Sequence, residues 1–174
     1  MVKKTNYQGR SNSSRCKYII ELEFVLVISS KHAGATANQL NHYQEYFLKN
    51  NKPDRIIISA GMNDILHSHS NNINLEEIAD KVINIGKTSN KEGVKDVFIL
   101  GLYKVKDIPS HVIDNFNQIL EIKCVSYNFG FVCNSNIKLC DLFDGLYVNT
   151  ISNNKLRNNI LLFFDTCRGR LRNN

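Results

Sequence analysis

The sequence predicts an α/β fold: a three-layer α/β/α sandwich around a mostly parallel sheet. Arg55-Ile56-Ile57-Ile58-Ser59 is an apolar, β-branched run that stops at Ala60-Gly61, as a strand buried on both faces does. Val97 to Leu100 repeats the pattern and stops at Gly101. Around these runs lie segments whose apolar residues recur at helical spacing. Strands alternating with helices of that length imply right-handed βαβ units and a parallel sheet covered on both faces.

In chain order, a first strand is expected before Gly9, although Val2 to Gln8 is a poor strand sequence. Phe24 to Ser29 reads as the next strand. Gly34-Ala35-Thr36-Ala37 then opens a helix with Leu40, Tyr43 and Phe47 on its apolar face, ended by Asn50 and Asn51 before Pro53. After the Arg55 strand, the chain is expected to form a loop through Asn63. Asn74 caps a helix with the stripe Leu75, Ile78, Ala79, Val82 and Ile83, closed by Gly93. Beyond Gly101, Ser110 starts a helix that buries Val112, Ile113, Phe116, Ile119 and Leu120. Phe129 to Cys133 forms a further strand. Ser152 is the expected cap of a last helix carrying Leu156, Ile160, Phe163, Phe164 and Cys167.

The 174 residues suffice for one core, and 43% hydrophobic with 22% charged residues is a globular balance. One domain over residues 1–167 and a basic tail over 168–174 is the simplest division. No apolar run approaches the roughly 18 residues of a membrane span, and Met1 to Gln8 lacks the apolar core of a secretion signal. No membrane partner is therefore expected. Five cysteines (Cys16, Cys124, Cys133, Cys140 and Cys167) include no CxxC pair. They read as reduced thiols of an intracellular protein, cytoplasmic or nuclear, and as small core hydrophobes.

The net charge of +6 is concentrated at the ends: Lys3, Lys4, Arg10, Arg15 and Lys17, then Arg168, Arg170 and Arg172. Such ends are either solvated tails or a weak, sequence-independent hold on nucleic acid. The 24 asparagines, with abundant Lys and Ile, read as compositional bias. No G-x-G-x-x-G or P-loop occurs, so no dinucleotide or nucleotide cofactor is expected. His67-x-His69 has no third ligand in view, so no metal is expected and both read as exposed loop residues. His32, His42 and His111 complete the histidines.

Four short segments carry the chemistry. Gly61-Met62-Asn63-Asp64 follows the buried Arg55 strand at its carboxyl end, where open α/β sheets bind ligands. The others are Gly9-Arg10-Ser11-Asn12, His32-Ala33-Gly34-Ala35-Thr36 and Asp144-Gly145-Leu146-Tyr147. In this order and spacing, from about Gly9 to Phe164, the chain resembles the SGNH (GDSL-like) hydrolases. It looks closest to the esterase-like domains of non-LTR retrotransposon proteins.

The resemblance implies a flavodoxin-like sheet and a serine esterase acting on small acyl esters. Ser11 stands at the nucleophile, with its N–H in the oxyanion hole. Gly34 would offer a backbone N–H and Asn63 a side-chain amide to the same oxyanion; one such donor is typically worth about 2.7–4 kcal/mol of barrier lowering. Asp144 stands at the triad carboxylate and Tyr147 at the histidine. Two departures matter. Arg10 replaces the motif aspartate, and Tyr147 replaces the imidazole that would take the serine proton. Tyrosine ordinarily titrates near about 10 and histidine near about 6.5, so only about 0.1% of a phenol is basic at neutral pH. Weak or absent turnover is expected, with an inactive binding module of a retroelement-derived protein as the alternative.

Overall fold

A computed structural model describes residues 25–28, 34–51, 53–68 and 74–171, with 25–28 and 165–171 described as backbone. Among the described residues, four strands, β1 (Val25–Ile28), β2 (Arg55–Ile58), β3 (Asp96–Leu100) and β4 (Gly130–Val132), form one sheet in the order β1-β2-β3-β4. Every pairing is parallel, with Ile28 opposite Ile58, Ile58 opposite Ile99 and Leu100 opposite Val132. The helices are α1 (Ala37–Asn51), α2 (Met62–His67), α3 (Leu75–Lys91), α4 (Ser110–Ser126) and α5 (Thr150–Leu171), and a 3-10 turn spans Leu139–Asp141. The expected strand Val2 to Gln8 lies outside the described residues.

Alternation along the strands divides the core. Ile56, Ile58, Val97 and Ile99 share one cluster with Leu40 and Leu48 of α1, Val82 and Ile83 of α3, and Phe116 and Leu120 of α4. Ile57, Phe98, Leu100 and Val132 face the other way, against Ile160 and Phe164 of α5. Phe98 meets Phe164 edge-on, with ring centroids 4.7 Å apart. Burying an isoleucine is worth about 1.5–3 kcal/mol, against a net of about 0.5–1.5 for a backbone hydrogen bond. Strands this short are thus held mainly by their two covered faces, which is the sandwich the sequence predicts.

Several local expectations are corrected. The buried face of α1 is Ala37, Leu40, Gln44 and Leu48, while Tyr43 is 46% exposed. Gln44 is buried because its amide donates to the Ile85 carbonyl at 2.7 Å and its carbonyl accepts from the Ser89 hydroxyl at 3.2 Å. The segment after Gly61 is not a loop but the short helix α2. Asn149, not Ser152, caps α5: its Oδ1 accepts from Ile151 N–H at 2.9 Å and Ser152 N–H at 3.0 Å. The Ser152 hydroxyl instead donates to the Asp141 carbonyl. Cys124 is the expected core thiol, but Cys133 and Cys140 are exposed. The backbone of α5 continues to Leu171, into the segment expected as a tail.

Candidate active site

Parallel pairing in register sends every strand's carboxyl end to one edge, and three of the four chemical segments follow such ends. Gly61 makes the turn from β2 into α2 at φ 102°, ψ −23°. A Cβ there would lie 2.8 Å from Phe116 Cζ, so both the conformation and the contact call for glycine. The turn delivers Asn63 and Asp64 in the first helical turn. The Asn63 amide Nδ2 donates to the Ala35 carbonyl at 2.9 Å, and Asp64 Oδ2 accepts from the Ala37 N–H at 2.8 Å. Two consecutive side chains thus reach the loop ahead of α1, where Gly34 sits at φ 90°. An amide nitrogen carries two N–H donors. With one spent on Ala35, Asn63 retains another to offer a ligand.

The loop after β3 is fixed by asparagines. Asn117 of α4 pairs with both the N–H and the carbonyl of Leu102, each at 2.8 Å, as a neighbouring strand would. Asn134 donates to the Gly101 carbonyl at 2.8 Å and accepts from Asn159 at 2.9 Å. On this support rests the segment Asp144 to Tyr147. The Tyr103 hydroxyl donates to the Leu146 carbonyl at 3.1 Å, and the Lys106 N–H to the Gly145 carbonyl at 2.9 Å. Asp144 Oδ1 accepts from the N–H groups of Leu146 (3.1 Å) and Tyr147 (2.9 Å). The carboxylate is therefore anchored to the backbone of its own turn.

Of the expected residues, Gly34 and Asn63 are brought together through Ala35, and Asp144 and Tyr147 through their shared turn. Ser11, Arg10, His32 and His69 lie outside the described residues. His67 ends α2 and is exposed, as are His42 on α1 and His111 in the first turn of α4. Among the described residues, no group of three His, Cys, Asp or Glu is placed to hold a metal, and no helix is long and apolar enough to cross a membrane. An open cleft of about 450 Å³ lies between Lys104, Asp114 and Lys138 to Cys140. A second, of about 350 Å³, lies between α1, α3 and Tyr127. Gly34, Asn63, Asp144 and Tyr147 line neither of them.

Sequence reasoning missed Asp64, Asn117 and Asn134, which support the site. Asparagines read as compositional bias instead satisfy backbone groups in the loops. One local pattern was available: Thr36-x-x-Gln39 has the spacing of a capping box, and its return half is present, the Thr36 N–H donating to Gln39 Oε1 at 2.9 Å.

No protein-family model and no curated protein sequence matches the chain. Solved structures do. A candidate acylhydrolase from Bacteroides fragilis matches with a TM-score of 0.65 and 17% identity, over 77% of this chain and 72% of that one. A GDSL-like lipase from Bacteroides thetaiotaomicron matches with a TM-score of 0.65 and 14% identity, over 78% and 73%. An acetylxylan esterase from Geobacillus stearothermophilus matches with a TM-score of 0.63 and 15% identity, over 75% and 68%. Catalytic mutants of that esterase replace a serine, an aspartate and a histidine, the last two three positions apart. At this identity the likeness establishes the fold: the chain has the α/β architecture of GDSL-like acylhydrolases and esterases.

Proposed function

We propose that the chain is an SGNH-type esterase domain with a depleted catalytic apparatus. In this reading Ser11 is the nucleophile and Gly34 and Asn63 complete the oxyanion hole. Asp144 is the triad carboxylate, with Tyr147 in the place of the histidine. The observation that carries the reading is the Asn63 to Ala35 hydrogen bond, which joins two of the four motif segments at the carboxyl edge of the sheet. The three-residue step from Asp144 to Tyr147 matches the spacing of the catalytic aspartate and histidine in the acetylxylan esterase. The substrate class this supports is a small acyl ester. The exposed free thiols Cys133 and Cys140 fit a reducing compartment.

Without an imidazole the serine has no efficient base, so turnover is low. Purified protein should hydrolyse p-nitrophenyl acetate little faster than its Ser11→Ala variant. Joint Tyr147→His and Arg10→Asp substitution should raise the rate by about 10²–10⁴, the usual contribution of a positioned general base. An ordinary esterase rate in the unmodified chain would overturn the depletion. A folded double variant that gains nothing would count against the esterase site itself.

The second reading, a retroelement-derived binding module that contacts nucleic acid, is favoured by the same two substitutions together with the basic ends.

A further inference from the structure

We propose that Asp64 is a positioning residue for the oxyanion-binding glycine, acting through the N-terminus of α1. This rests on the role assigned to Gly34 above. The first N–H groups of a helix have no partner within it, and the residues just ahead normally supply acceptors. In α1 the local supply is diverted. The Thr36 hydroxyl turns toward Gln39 Oε1 at 3.3 Å, and the same oxygen accepts from the Thr36 N–H at 2.9 Å. The Ala37 N–H goes instead to the Asp64 carboxylate, 27 residues downstream, at 2.8 Å. A carboxylate there also meets the positive end of a 15-residue helix dipole.

Asn63, the preceding residue, holds the Ala35 carbonyl at 2.9 Å. Consecutive side chains of α2 thus grip the chain on both sides of Thr36. Gly34 lies immediately before this grip, at φ 90°, exposed, with nothing within 4 Å of the position a Cβ would take. The two hydrogen bonds hold the peptide groups that follow it, Ala35–Thr36 and Thr36–Ala37, and so the point from which the Gly34 turn departs; Asp64 supplies the bond that Asn63 cannot. Asp64 touches no reacting atom in this scheme; it holds the helix end to which the Gly34 turn is joined.

The test uses Asp64→Ala, which removes the acceptor, and Asp64→Asn, which keeps a side-chain oxygen for Ala37. By NMR of the full chain, Asp64→Ala should shift the Gly34 and Ala35 amide resonances and speed Ala37 amide exchange about tenfold, the scale of a lost cap. Asp64→Asn should return them toward their original positions. In the Tyr147→His, Arg10→Asp background, Asp64→Ala should lower kcat about 10–100-fold with KM within about twofold, and Asp64→Asn should recover most of it. Unmoved Gly34 resonances in folded Asp64→Ala, or an unchanged kcat, would overturn the assignment. Where Asp64→Ala does not fold, Asp64→Ser, whose hydroxyl stops short of Ala37, takes its place in both measurements. A background variant with no turnover at all would fail the esterase reading, while the Gly34 resonances would still decide the positioning role.

Discussion

Lys155 Nζ lies 2.6 Å from Asp141 Oδ2, and this contact ties α5 to the base of the loop that carries Asp144 and Tyr147. The same carboxylate accepts from the Lys138 N–H at 2.9 Å, and the Asp141 carbonyl accepts from the Asn149 N–H at 3.1 Å. Asp141 thereby joins the two ends of the loop, which the bridge between Leu142 and Val148 closes.

The Lys138 N–H, and then the Lys155 ammonium, hold the Asp141 carboxyl below its ordinary value of 3.8. A carboxyl whose folded pKa is depressed contributes stability above the unfolded pKa and loses it as pH falls through the folded one. Asp141→Asn should therefore melt earlier than the unmodified protein at neutral pH, and the gap should close in acid, below the ordinary carboxylate range. Thermal melts across an acid titration check this; a gap that stays constant with pH would refute the linkage.

Gly61→Ala should destabilise the fold by about 2–4 kcal/mol, combining left-handed backbone strain with overpacking. The added methyl would sit 2.8 Å from Phe116 Cζ and 3.2 Å from Cε1, on a ring that is fully buried. Urea unfolding of Gly61→Ala, with and without Phe116→Leu, separates the two parts. The second substitution should relieve the contact and leave the backbone cost. A Gly61→Ala midpoint equal to that of the unmodified chain would contradict both.

The thiols should divide by burial. Cys124 is inaccessible, and burial pushes its thiol up to about 12. Cys133, whose Sγ lies 3.2 Å from Ser135 Oγ, and Cys140 are exposed. Iodoacetamide on native protein near pH 8 should modify Cys133 and Cys140 and spare Cys124 until the chain unfolds, as read by peptide mass spectrometry. Modification of native Cys124 at the rate of the other two would place it wrongly in the core.

For the binding-module reading, affinity for random single strands should fall steeply with salt and drop on removal of residues 168–174, because each lysine or arginine held to a phosphate releases counterions. Undetectable or salt-insensitive association would remove nucleic acid as a partner.

The strands were legible because two-faced burial leaves an uninterrupted β-branched run, as in Ile56 to Ile58. Helix α3 was legible because Asn74 and Gly93 punctuate a clean apolar stripe. The inner face of α1 was not. The spacings 40-43-47 and 37-40-44-48 are both helical, and only the Ile85 carbonyl and Ser89 hydroxyl of α3 make Gln44 the residue that goes inside. The cap of α5 was misplaced for a related reason: Asn149 and Ser152 are both cap residues, and the Asp141 carbonyl claims the serine.

By itself the sequence determined which segments alternate and that they build a covered parallel sheet. Those properties follow from residue type and local periodicity. The tertiary structure alone decided that Asn63 reaches across 28 residues to the loop before α1 and Asp64 across 27 to the first residue of that helix, and that Tyr103 and Lys106 dock the Asp144 turn. A hydrogen bond is directional and spans about 3 Å, so its partner is chosen by where the packed sheet brings distant backbone groups, which local residue pattern does not reveal.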